Sequence, residues 1–147
     1  MPHPLELPHQ TGPVLITVVY VALYYAFQIR GSLIRRTLAR QYRERGETFD
    51  RYFGQDRTML AADRVQLNML EHMPPFLALL WLNAVFVGPG SATLAGGIYV
   101  LTRSAYPLLV GERMGKDIKD RILLVTAPGY LVLIYLGAAL IWTLLGG

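Results

Sequence analysis

Arg64, Asn68 and Glu71 stand in the run Arg64-Val-Gln-Leu-Asn-Met-Leu-Glu-His-Met-Pro-Pro75. At about 3.6 residues per helical turn, their side chains share one stripe of one helix. The next dozen residues, Phe76 to Val87, carry no charge. An ionised carboxylate at membrane depth costs about 3 kcal/mol on insertion scales. A chain keeps one there chiefly when it meets a partner or a polar ligand, so the stripe is a candidate binding site. A second polar stripe lies in Val100-Leu-Thr-Arg-Ser-Ala-Tyr-Pro-Leu-Leu-Val110, where Arg103, Tyr106 and Val110 follow an i, i+3, i+7 pattern and Arg113 continues the face. Guanidinium forks fit carboxylates in bidentate fashion, and a carboxylate such as Glu71 fits an ammonium. Brought together, the two stripes suit a small zwitterionic or peptide-like ligand with excess negative charge.

The bland readings are specific too. Arg64 alone reads as a basic residue flanking a membrane span, Asn68 as interhelical hydrogen-bonding glue, and Tyr106 as an interface aromatic. Glu71 reads as the ion-pair partner of Arg103. His72 reads as packed or hydrogen-bonded rather than as a metal ligand, because no second histidine stands at helical ligand spacing. No metal is expected.

The elements that position these residues are membrane helices. The chain has 147 residues, of which 53% are hydrophobic and 16% charged, and its mean hydropathy is +0.35. Soluble domains are about one quarter charged. Four apolar segments follow, at about 13–30, 65–87, 92–110 and 122–145, within a single domain, 1–147. Lipid leaves no water to satisfy open backbone groups, so each span is expected to be a helix. The first is expected to continue as a helix through Arg40, outside the membrane. Pro74-Pro75 and Pro128-Gly129 are expected to bend the second and fourth. The fold class is therefore all-α, an integral membrane four-helix bundle. Ala92, Gly96 and Gly97 offer a small-residue face for close helix approach.

Charge is uneven. Arg30 to Arg64 holds nine arginines and five acids, Gly111 to Arg121 holds four basic residues and three acids, and the turn Gly88–Ser91 has none. The positive-inside rule puts both charged loops in the cytoplasm and both termini outside. The lack of cysteine excludes disulfides, iron–sulfur clusters and a protein thiol nucleophile. No nucleic-acid partner is expected. The N-terminus has no Lys or Arg ahead of its first apolar run and reads poorly as a cleavable signal.

Arg64-x-Gln66-x-Asn68-x-x-Glu71-x-x-Pro74, followed by Phe76-Leu-Ala-Leu-Leu-Trp81, resembles the second-span signature of the membrane-associated proteins in eicosanoid and glutathione metabolism (MAPEG). Arg103-x-x-Tyr106 resembles their third-span motif, and Gln28-Ile-Arg30 is similar to the matching end of the first span in a prostaglandin-forming branch. The resemblance covers nearly the whole chain. It implies a homotrimer of four-helix subunits in which glutathione, as co-substrate, binds near the cytoplasmic side between neighbours. Arg64, Asn68, Glu71, Arg103 and Tyr106 would then hold glutathione, joined by Gln66, His72 and Arg30. A basic residue after the third span would stabilise the thiolate, with Arg113 the candidate and Lys116 the alternative. The family pattern has a second tyrosine where this chain has Val110, and Gly111-Glu-Arg113 resembles the loop of a non-catalytic, lipid-binding member. Two functions are therefore weighed: a membrane-bound glutathione transferase or peroxidase acting on lipophilic electrophiles or lipid hydroperoxides, and a non-enzymatic lipid-binding or presenting protein. A third, an ion-relaying transporter subunit using Glu71 and Arg103, lacks the inverted repeat such proteins carry.

Overall fold

A computed structural model describes residues 10–113 and 118–146. Lys116, the alternative thiol activator, falls outside the described residues, as do His3 and His9. Four helices follow in order: α1 Thr11–Glu44, α2 Arg57–Phe86, α3 Pro89–Val110 and α4 Ile118–Leu144. There is no strand among the described residues. Helices α1 and α2, and residues 126–144 of α4, are long and apolar enough to cross a membrane. Helix α3 falls short of that apolarity because glycines, hydroxyl residues and Arg103 interrupt it. It compensates by packing against all three other helices. At 34 residues, α1 is about 51 Å long against a bilayer core of about 30 Å. Its last turns therefore stand clear of the hydrocarbon, as the arginines there require.

Every span-facing lipid is as apolar as leucine, so packing shape and hydrogen bonds must hold the helices together. The shape is aromatic. Phe76 of α2 stacks on Tyr99 of α3 with ring centroids 4.0 Å apart, and Tyr20 of α1 lies 5.0 Å from Phe76. The hydrogen bonds run across helices. Tyr20 Oη donates to the Met69 carbonyl at 2.9 Å, and Asn83 Nδ2 donates to the Leu136 carbonyl of α4 at 2.8 Å. Helix α2 runs through Pro74-Pro75, and α4 through Pro128, without interruption. The small-residue face is used within the chain: a Cβ added to Gly96 would stand 2.8 Å from Ile16 of α1 and 2.9 Å from Leu80 of α2.

The loop joining α1 to α2 is organised by two aspartates. Asp50 Oδ1 accepts the amides of Tyr52 and Phe53, each at 2.9 Å. Asp56 caps α2, accepting from Thr58 N at 2.9 Å and Met59 N at 3.1 Å, and Tyr42 Oη donates to it at 3.0 Å. Burial pushes the Asp56 carboxyl up, but the Met59 amide, the Tyr42 hydroxyl, the Thr58 amide and the charge of Arg113 together outweigh burial and hold it below the usual carboxylate range. A depressed folded pKa stabilises above the unfolded value of about 3.9, and the gain is lost as the pH falls through the folded pKa. Asp56→Ala is expected to cost about 1 kcal/mol at neutral pH. Thermal melts of both proteins should converge once the pH has fallen well below 4, roughly the ordinary aspartate pKa; a gap that persists there would assign the cost to something other than the ionised cap.

Candidate functional site

The Arg103 side chain is the centre of the site. It is 0% exposed, the largest fully buried side chain described. Nη1 donates to Asn68 Oδ1 at 2.6 Å, and Nη2 lies 3.3 Å from His72 Nδ1. Asn68 and His72 are one turn apart on α2, so one guanidinium fork spans both. A guanidinium can only donate, so His72 Nδ1 accepts and the ring proton sits on Nε2. The fork also lies over the Tyr99 ring, 4.9 Å from its centroid, which suits a delocalised cation. The His72 ring meets Tyr130 of α4 edge-on at 5.1 Å. One turn further along α3, Tyr106 is buried against Ala61, Val65 and Val110. Arg103 Nε and the Tyr106 hydroxyl have no hydrogen-bond partner among the described residues.

No acid among the described residues pairs with this cation. No ion pair joins Glu71 to Arg103 among the described residues, contrary to the pairing read from sequence. The reason is angular. Glu71 is about 60° around α2 from Asn68, which turns it off the packed face, and it is exposed on the single chain. Arg64 is exposed with it, one edge of the stripe thus facing outward while Asn68 and His72 face inward.

The other candidate residues border separate spaces. Arg64 and Gln66 line an open groove of about 420 Å³ with Arg51 and Asp63, which pair at 3.2 Å. Arg30 borders a second groove of about 340 Å³ between α1 and the start of α2. Arg113 follows α3, exposed, close enough to lower the Asp56 pKa. The single chain thus gathers Asn68, His72, Arg103 and Tyr106 in its interior and leaves Arg30, Arg64, Glu71 and Arg113 partly or fully open at its surface. Sequence reasoning missed Tyr99, Gly129 and Tyr130. The spacing of Tyr99 four residues before Arg103 was a usable signal; the α4 pair gave none. No cluster of three or more metal-ligating side chains occurs among the described residues.

Comparison with known proteins gives the family. The MAPEG family model matches residues 13–142. The chain belongs to the MAPEG family. Among curated MAPEG relatives, leukotriene C4 synthase of Cavia porcellus is 44% identical and that of Bos taurus 42% identical, each over 43 residues. Each match covers 29% of this chain and 29% of the relative. The MAPEG assignment and the apolar helices together make this a membrane protein.

Proposed function

We propose that this MAPEG protein is a membrane-bound glutathione transferase, with peroxidase chemistry available to the same site. The observation that carries the reading is the buried Arg103 guanidinium, without an acid partner among the described residues and held by Asn68 and His72 of α2, whose neighbouring edge carries exposed Arg64 and Glu71. Glutathione carries two carboxylates and one ammonium. Arg64 offers a bidentate fork to a carboxylate, Glu71 an acceptor for the ammonium, and Tyr106 a hydroxyl donor. Asn68, His72 and Arg103 form the polar wall behind them, and Arg30 and Gln66 complete the site. These groups do not share one space in the single chain, which favours a site finished by a neighbouring copy in a homotrimer. In this reading both charged loops are cytoplasmic and both termini outside.

Arg113 acts on the thiol. A free thiol has a pKa of ~8.5, and a guanidinium within hydrogen-bond reach favours its anion. The thiolate attacks a lipophilic electrophile, the new C–S bond forms, and the leaving group departs with the bonding pair while the thiol proton passes to water. With a hydroperoxide, the thiolate takes the distal hydroxyl oxygen as the O–O bond breaks, the alkoxide leaves and takes a proton from water to become the alcohol, and a second glutathione condenses with the sulfenic acid to give the disulfide and water. No protein group is modified covalently.

A lipid-binding role without turnover is the second reading. It is favoured by Val110, buried at 3% where a second tyrosine would stand, and by an apolar groove of about 520 Å³ between α3 and α4, lined by Leu94, Ile98, Leu131 and Tyr135. The same groove serves the first reading as an approach for lipophilic substrate. Purified protein in nanodiscs is expected to bind glutathione at millimolar concentration or below and to conjugate a chlorinated nitroarene or reduce a lipid hydroperoxide. Absence of both binding and turnover, with lipid binding that glutathione does not alter, would replace the first reading by the second.

A further inference from the structure

From sequence, Pro128-Gly129 is expected only to bend the fourth span. In the fold, α4 runs on through the pair, and Gly129 is buried directly against the Arg103 fork. A Cβ built on Gly129 would stand 2.6 Å from Arg103 Nη2, 3.2 Å from Cζ and 3.5 Å from Nε. Real Cβ contacts essentially never fall below 3.0 Å. A flexible side-chain end normally yields to such a methyl. This one has little freedom to do so, because it is 0% exposed, bonded to Asn68 at 2.6 Å and laid over the Tyr99 ring. The next residue, Tyr130, touches the other member of the cluster, His72.

We propose that Gly129 is a positioning residue: its missing side chain is the space in which the Arg103 guanidinium lies, and through Arg103 it sets the Asn68 amide and the His72 ring. Among its described residues, helix α4 touches this cluster with the Tyr130 ring on His72 and places no hydrogen-bonding side chain on Arg103. Its role is to offer bare backbone at one position, so that a planar cation reaches across from α3 to α2. With Asn68 Oδ1 and His72 Nδ1 both occupied by Arg103, the Asn68 NH2 and the His72 Nε2–H are the groups left to donate elsewhere. The consequence for glutathione rests on the function proposed above; the geometric consequence does not.

The test is a double-mutant cycle on the full chain in nanodiscs, using Gly129→Ala, Arg103→Met and the double variant. Gly129→Ala is expected to lower the melting temperature when Arg103 is present and to have little effect beside Arg103→Met, whose side chain is slimmer and unbranched. Equal losses in both backgrounds would mean that Gly129 serves helix packing alone, and would overturn the proposal. A second measurement needs no Arg103 variant. The ring ¹⁵N signals of His72, assigned by comparison with His72→Gln, are expected to report an Nε2–H tautomer in the parent chain and to shift on Gly129→Ala; an unchanged His72 signal would overturn the proposal by itself. In the glutathione arm, Gly129→Ala is expected to raise the glutathione KM about tenfold with kcat within about twofold. If the parent chain binds no glutathione, the function proposed above fails while the melts and the His72 signals still decide the role of Gly129.

Discussion

Arg113→Ala is expected to cut conjugation turnover at pH 7 by about 25-fold while glutathione affinity stays within about twofold. The size follows from ionisation. A thiol of pKa ~8.5 is about 3% thiolate at pH 7, and a downward shift of about two units raises that to about 75%. Removing the guanidinium returns the thiol to its free value, so the pH–rate profile of the variant should rise about two units later than that of the parent, and the two should meet near pH 9. Bound thiolate, followed by its ultraviolet absorbance, reads the same quantity without turnover. Arg113 is exposed and outside the buried cluster, so the substitution should leave the fold intact. Unchanged thiolate in Arg113→Ala would move the activating role to another basic residue of the α3–α4 connection, Lys116 first.

Asn68→Leu is expected to be the most damaging single change to the fold near the site, costing about 3 kcal/mol. Asn68 Oδ1 is the acceptor for Arg103 Nη1, and the bond is short and buried. Leucine has similar bulk and no acceptor, so the cation would be left with His72 and the Tyr99 ring. A hydrogen bond to a charged group is worth about 1.5–3 kcal/mol, and an uncompensated buried charge adds to the loss. Asn68→Asp is the informative control. It keeps an acceptor at the same place and supplies the missing negative charge, so its melting temperature should stay near that of the parent. Yet it should weaken glutathione binding, because it removes the amide donor and adds a carboxylate beside an anionic ligand. A stable Asn68→Leu protein would show that the guanidinium finds another acceptor and that the Asn68 bond is incidental. The two predictions are independent, since one acts on ionisation of the ligand and the other on a buried charge of the protein.

The helices were legible because lipid leaves an apolar segment no other satisfied backbone, and α1 and α2 extend past their apolar runs because Arg30–Arg45 and Arg57–Arg64 keep helix-forming residues in water. The polar stripes were legible because a period of about 3.6 puts residues 64, 68 and 71 within about 60° of arc. That same arc is where sequence reasoning stopped. It covers both a packed edge and an open edge, and only the rotation of α2 against α3 decides which is which. The rotation placed Asn68 and His72 against Arg103 and left Glu71 outside. Charge alone argued for Glu71 as the partner, but a seven-atom side chain reaches whatever acceptor its helix faces, and α3 faces the inner edge. The space for the guanidinium came from Gly129, 26 positions further along the chain, and no local pattern connects the two. Residue types and spacing thus determined that this chain is a bundle of membrane helices carrying a guanidinium, an amide, a carboxylate and a phenol toward one end. Which of those groups meet was decided by interhelical packing, because a pairing between helices depends on their relative rotation and closeness, and neither is written in the period of any one of them.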